Sequence, residues 1–387
     1  MENVKKFRLD FIDVIRAFAI CMMLEGHFID GLLAPEYRDE NNLIFSTWLY
    51  IRGMTAPVFF TVSGFIFTYL LIREQNPEKM GWNHIRVQKG VRRGISLVII
   101  AYLLRANIFN LFSDMTDMNV RKVDVLHCIG FSLLFLIAFY LASYKRKSHY
   151  LLPVFLLMIT FVLFFFEPIY SHLTYEYLPI FLANYFTKVN GSVFTLFPWF
   201  GYASLGGFMG YMFYKYREHP HLYRNAILLY IVLGIFFLTF PYWAGKIGKE
   251  THYYTLELIA GGDYLIKRIG NVLLFFALFM LLRKVITSTL LQKIGQNTLT
   301  IYVVHYIMLY GSFTGLGLYR FFHDKLNPYE VVIGAVLFVV GTLLVTFAYL
   351  NKEAIIDQRI DEIKAKIGQG IGRGFDSIKN TIKRFFS

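Results

Sequence analysis

The sequence predicts an all-α fold: a polytopic membrane bundle of about ten transmembrane helices with both termini cytoplasmic. Three observations predict it. The 387 residues are 56% hydrophobic and 18% aromatic but only 17% charged, far from the balance of a soluble domain. Apolar runs recur near the roughly 20 residues needed to cross a bilayer. The basic residues alternate by side: 26 Lys and Arg fall in the segments that face inward if the N-terminus is inside, against 8 in the outward loops.

The same asymmetry accounts for the net charge of +13, so nucleic acid is not an expected partner. Cys21 and Cys128 both lie in apolar runs, and no disulfide framework or metal-ligand spacing is present. Asp13 and Arg16 break the first apolar run, so it reads as a retained span rather than a cleaved signal.

The first span, 11–33, is apolar but carries Asp13, Arg16, Glu25 and His27. Ionisable groups in a span are costly and face cavities or partners, where they serve function. Eleven helical steps from Arg16 to His27 give about 16 Å along the axis and return to the same face. One stripe thus carries a cation near the inner side and an imidazole in the outer half. Histidine is suited to general-base work. Asp13 and Arg16, three apart, are placed to pair. Glu25 points to another side of the helix.

The second span, 47–71, holds Arg52 near its outer end, then Pro57 and Ser63-Gly64. Proline and glycine bend or loosen a helix, and Ser-Gly admits close approach of a helix or a slender ligand. The inner segment 72–93 follows, with Arg73, Lys79, Arg86, Lys89, Arg92 and Arg93 beside Trp82 and His84. Its charge fits the inside-positive bias, and it fits a nucleotide with several phosphates.

Spans three and four, 94–112 and 125–143, bring Arg105, Asn107, Asn110, Asp124 and His127 to the outer half. These polar groups serve interhelical hydrogen bonding or a shared pocket. Spans five to eight run over 149–167, 196–214, 225–243 and 266–282. Two long outer segments separate them, 168–195 and 244–265, both rich in tyrosine. They read as an interfacial aromatic belt, as the wall of an outer binding site, or as both. His305 lies within span nine, 298–318, and span ten is 331–350. The division is therefore a membrane domain, 1–350, and a tail, 351–387. In the tail isoleucines recur at helical spacing among eight basic and five acidic residues, with glycines between. It reads as an interfacial amphipathic helix, an anchor or an oligomer contact.

Several of these residues carry a family resemblance. Arg16-x10-His27 resembles the first-helix signature of the membrane acyltransferase-3 family, and Phe59-Phe-Thr-Val-Ser-Gly-Phe65 resembles that family's second-helix element. Ile12-Asp-Val-Ile-Arg-Ala-Phe-Ala, Val123-Asp-Val-Leu-His-Cys-Ile-Gly130 and Phe197-Pro-Trp-Phe-Gly-Tyr202 resemble bacterial relatives of heparan-α-glucosaminide N-acetyltransferase. Ala17 stands where the family usually has glycine. The resemblance implies a ten-helix membrane enzyme with a cytoplasmic acyl-CoA donor, most simply acetyl-CoA, and an extracytoplasmic acceptor, often a glycan. It maps the catalytic histidine onto His27 and its paired arginine onto Arg16.

The expected activity is acyl transfer to a hydroxyl or amine outside a bacterial inner membrane. Arg52 is the candidate for the oxyanion. Arg16, Arg73, Arg86, Lys89, Arg92, Arg93 and Ser63 are the candidates for the donor, and Arg105, Asp124, His127 and His305 for the acceptor. The competing expectation is a transporter of a small anionic or acylated solute along Arg16, Arg52 and Arg105. A fold-only scaffold or sensor is a third.

Overall fold

The computed structural model describes residues 9–73, 80–107, 118–146, 150–261 and 264–352. Lys79, Asn110 and the tail from 353 onward lie outside the described residues. The described residues are mostly helical, with an isolated β-bridge between Leu33 and Leu326. Helices lie at all ten predicted positions. Five are long and apolar enough to cross a membrane: Leu43–Arg73, Val125–Lys145, Leu222–Thr251, Leu265–Leu282 and Pro328–Lys352. The last of these exposes Val332, Val336, Leu337, Val340 and Leu344, the lipid-facing pattern of an integral membrane protein.

The first helix, α1 (Asp10–Leu32), is the element the others share. Its acidic residues keep it out of the apolar five, yet it is buried along most of its length. Phe11, Ile12 and Ile15 belong to one core cluster, and Ile20, Leu24, Phe28 and Leu32 to a second. Asp10 and Asp13 in its first turn complement the helix dipole. Leu33 and Ala34 end it in extended backbone, ahead of a single 3-10 turn at Pro35–Tyr37.

The second predicted span is two helices, α2 (Leu43–Arg52) and α3 (Thr55–Arg73), broken at Gly53 and Met54. Pro57 is not the hinge: it sits in the first turn of α3, where its missing N–H is no loss. Nor is Gly64 a ligand notch. A Cβ there would overlap the carbonyl oxygen of Ala203, so the gap is filled by the helix Leu196–Lys215.

The third helix, α4 (Ile85–Arg105), starts nine residues before the predicted 94 and stops at Arg105. Four basic residues in its first turns hide it from an apolar-run reading. The His84 side chain caps it, accepting from the Arg86 N–H at 3.1 Å. Half of the presumed inner loop is therefore helix, which fixes where its cations point. Next come α5 (Val125–Lys145), α6 (Leu151–Phe165), α7 (Leu196–Lys215), α8 (Leu222–Thr251) and α9 (Tyr264–Leu282).

The ninth span begins where predicted, as α11 (Thr298–Tyr310), and a short helix α10 (Thr289–Gln296) precedes it within the predicted inner segment, with the turn at Asn297. Ser288 caps α10. Gly311, at φ 80, ends α11 eight residues before the predicted 318. Gly295 of α10 packs directly on the Asp13 carbonyl of α1. This contact lays α11 beside α1 along its later turns. A short helix, α12 (Leu318–Phe322), and the last helix, α13 (Pro328–Lys352), complete the described fold.

Candidate functional site

Two ends of α1 carry polar groups, and α11 serves both. At the early end, Arg16 donates from Nη2 to Thr298 Oγ1 at 2.8 Å and stands 3.7 Å from Asp13. The predicted pair with Asp13 thus exists, and the Asn297 turn supplies Thr298 as a second partner. The charge of Arg93, on α4, also acts on Arg16.

The other donor candidates disperse. On α4, Arg86, Lys89 and Arg93 share one side, whereas Arg92 is turned about 100° from Arg93 by the helical repeat. Arg92 lines a shallow cleft with the exposed Trp82, Gln88 and Ser96. Arg73 bonds to Tyr69 on its own helix. Ser63 is half-buried beside the packed Gly64. The charge of Arg93 reaches Arg16, whereas Arg92 lines the separate cleft with Trp82 and Ser63 sits beside the α3–α7 contact at Gly64.

At the later end, His27 Nδ1 and His305 Nε2 are 3.2 Å apart. His305 is fully buried and His27 half-buried. One ring must donate and the other accept in this bond. His305 Nδ1 is buried without a hydrogen-bond partner among the described residues, so Nε2 carries the ring's one bond, to His27. Tyr302 packs edge-on against the His305 ring at 4.9 Å, and Tyr310 meets His27 at 6.3 Å, both between centroids.

Arg52 reaches the same end. Its guanidinium pairs with Asp30, three residues beyond His27, and its side chain runs past Gly26. A Cβ at Gly26 would come within 3.1 Å of Arg52 Cγ, so the glycine admits the arginine beside His27. Glu25 turns away, as its position on the helix requires, and accepts from the Trp48 indole N–H.

Arg105, Asp124 and His127 form a separate chain. Arg105 Nε donates to Asp124 Oδ2 at 3.0 Å, and His127 Nδ1 lies 3.0 Å from Oδ1. Asp124 also caps α5, accepting from the Leu126 N–H. Structural work therefore accounts for much of this trio. It still faces the histidines: the charge of Asp124 acts on His27, and those of Arg105 and Asp124 act on Tyr306.

Sequence reasoning missed Thr298, Asp30 and the tyrosines of α11. Tyr302, Tyr306 and Tyr310 recur every four residues around His305, a signal that was available. The tyrosine-rich outer segments contribute little here. Tyr185 reaches the Tyr102 hydroxyl at 2.8 Å near His127, while Tyr253 and Tyr254 are exposed.

No curated protein matches the chain. A family model does match, that of the heparan-alpha-glucosaminide N-acetyltransferase catalytic domain, over residues 8–239. That stretch contains His27, Arg52, Arg105 and His127 and leaves out His305. The chain is an integral membrane protein that belongs to the heparan-alpha-glucosaminide N-acetyltransferase catalytic family.

Proposed function

We propose that the protein transfers an acetyl group from cytoplasmic acetyl-CoA to a hydroxyl or amine of an extracytoplasmic glycan. One observation carries the reading: unbroken α1 links Arg16, held by Thr298 and Asp13, to the His27–His305 pair. Eleven helical steps separate Arg16 from His27, about 16 Å, close to the reach of an extended pantetheine arm. The Arg16-x10-His27 spacing supports the further likeness to acyltransferase-3 enzymes. The loop charges support ten spans, both termini inside and a bacterial inner membrane.

In this reading CoA phosphates lie between Arg16 and Arg93, with Arg86 and Lys89 along the same side. The thioester reaches His27. Nε2 of His27 removes the acceptor proton as the acceptor oxygen or nitrogen attacks the thioester carbonyl. Arg52 faces the oxyanion that develops. Collapse breaks the C–S bond, and the thiolate takes the proton back from His27. His305 accepts from Nδ1 of His27 throughout, which holds the ring and steadies the imidazolium.

Sealed vesicles of defined orientation test this. Labelled acetyl-CoA supplied on the cytoplasmic face should label a glucosaminide acceptor on the other face, and His27→Ala should abolish labelling without loss of folded protein. Labelling only when donor and acceptor share a face, or full activity in the His27→Ala protein, refutes the proposal.

A further inference from the structure

A groove runs along α8, between it and α6, α7 and α9. Its volume is about 870 Å³, at the upper end of the roughly 300–1,000 Å³ of ligand pockets. Helix packing makes it. Gly234 of α8 and Gly270 of α9 draw those two helices together: a Cβ at Gly270 would come within 2.7 Å of the Gly234 carbonyl oxygen. The space left between α8 and α6 is flanked by exposed Leu229 and Phe161. Buried Met209, Phe213, Tyr230 and Leu273 form the floor. No described residue of α1 or α11 lines the groove, so it is separate from the histidine site.

Its two ends differ in chemistry. Along α8 the lining is apolar or aromatic from Ala226 to Phe240, fourteen helical steps or about 21 Å. That is room for an acyl chain lying beside the helix. The polar groups gather at the other end, at the turn that joins α7 to α8, where Tyr216, His219 and Asn225 line the groove. His219 Nδ1 accepts from the His221 backbone N–H at 3.2 Å, so the neutral ring keeps its proton on Nε2, a donor. Lys215 Nζ lies 5.7 Å from the centroid of Tyr216 and 5.6 Å from that of Tyr150, which places it at the mouth between α6 and α7.

The charge at this end is positive. The turn carries Lys215, Arg217 and Arg224 against Glu218, and Arg217 takes up Glu218 at 2.9 Å. Neighbouring helix ends add Arg73, Lys145, Arg146, Arg283 and Lys284 against Asp10. No lining residue of the groove is acidic. An exposed apolar face such as that of α13 meets passing lipid. A groove with a buried floor and a basic, hydrogen-bonding mouth selects one kind, because basic pockets between membrane helices hold anionic headgroups.

We propose that this groove is a binding site for an anionic glycerophospholipid, with an acyl chain along α8 and the phosphate at Lys215, His219 and Asn225.

The full-length protein in detergent is titrated with phosphatidylglycerol and with phosphatidylcholine of the same acyl chains, and the first bound lipid is followed by native mass spectrometry. Phosphatidylglycerol should bind at least fivefold more tightly, what about 1 kcal/mol for one cation near a headgroup amounts to. Lys215→Gln should bring the two lipids within twofold of each other. Leu229→Trp, which fills the groove from its rim, should weaken phosphatidylglycerol about tenfold. Val336→Trp, at a comparably exposed position on α13, should not. Equal affinity of the two lipids for the parent protein, or a preference that survives Lys215→Gln, overturns the site. So does a Leu229→Trp protein that binds phosphatidylglycerol as the Val336→Trp protein does, which would mean a lipid annulus only. Lys215 is exposed and outside the packed core, so Lys215→Gln alone decides if Leu229→Trp fails to fold.

Discussion

His27 and His305 share one hydrogen bond, Nδ1 to Nε2 at 3.2 Å, across helices 278 positions apart in the chain. The bond gives each ring a role that neither has alone. In the proposed reaction His305 Nε2 is the acceptor, and the lone pair of His27 Nε2 is left over for the acceptor proton. His27→Ala should therefore remove about a hundred- to ten-thousand-fold of the rate, the span of a lost general base. His305→Ala should lower kcat by less and leave donor KM unchanged, because the base survives but loses its orientation. Acetyl transfer and acetyl-CoA titration on the two proteins distinguish them.

Arg52 is held by Asp30 and admitted by Gly26. Arg52→Ala should depress kcat by about a hundredfold, the loss of one oxyanion donor. Asp30→Asn should depress it less, by freeing the guanidinium to wander. In a double-mutant cycle the two losses should fall well short of additive. Additive losses would mean that Asp30 acts independently of Arg52.

Much of this was legible in the chain, and the reasons for the misses are physical. Arg16 and His27 stand out because charge in an apolar run is expensive, and helical repeat alone fixes their offset. The break at Gly53 was invisible because the predicted span runs through it, and the short helix before Asn297 was missed because its residues are too polar and too few to read as a span. The start of α4 was hidden by its own cations, although His84 is a side-chain cap that marks it. His305 was recognisable as an odd polar residue, but its partner was not, since no local rule pairs helices so distant in sequence. Asp30 escaped because it closes a salt bridge around the α1–α2 turn rather than along one helix.

The α3–α7 contact makes a prediction about stability alone. A methyl at Gly64 meets the Ala203 carbonyl, and backbone yields less readily than a side chain. Gly64→Ala should cost about 1–3 kcal/mol, the usual range for overpacking, and lower the melting temperature in detergent. Acetyl-CoA affinity of the surviving folded protein should be unchanged. Were Ser63-Gly64 part of the donor slot, affinity would fall while the melting temperature held.

Arg92 and Arg93 are neighbours in the chain and should behave differently. Arg93 acts on Arg16, whereas Arg92 lines the cleft with Trp82 on another side of α4. If phosphates lie between Arg16 and Arg93, removing either arginine should raise the acetyl-CoA KM by about tenfold, the cost of one charge-assisted contact of 1.4 kcal/mol. Arg92→Ala should change it by less than twofold. The contrast should shrink as salt is raised, because screening weakens the exposed Arg93 contact most. The melting temperature of Arg16→Ala should also fall, since Asp13 and Thr298 lose their partner, whereas Arg93→Ala should melt like the parent protein. Equal effects of Arg92 and Arg93 on donor KM would return the cations to a general inside-positive role and leave Arg16 without its phosphate partner.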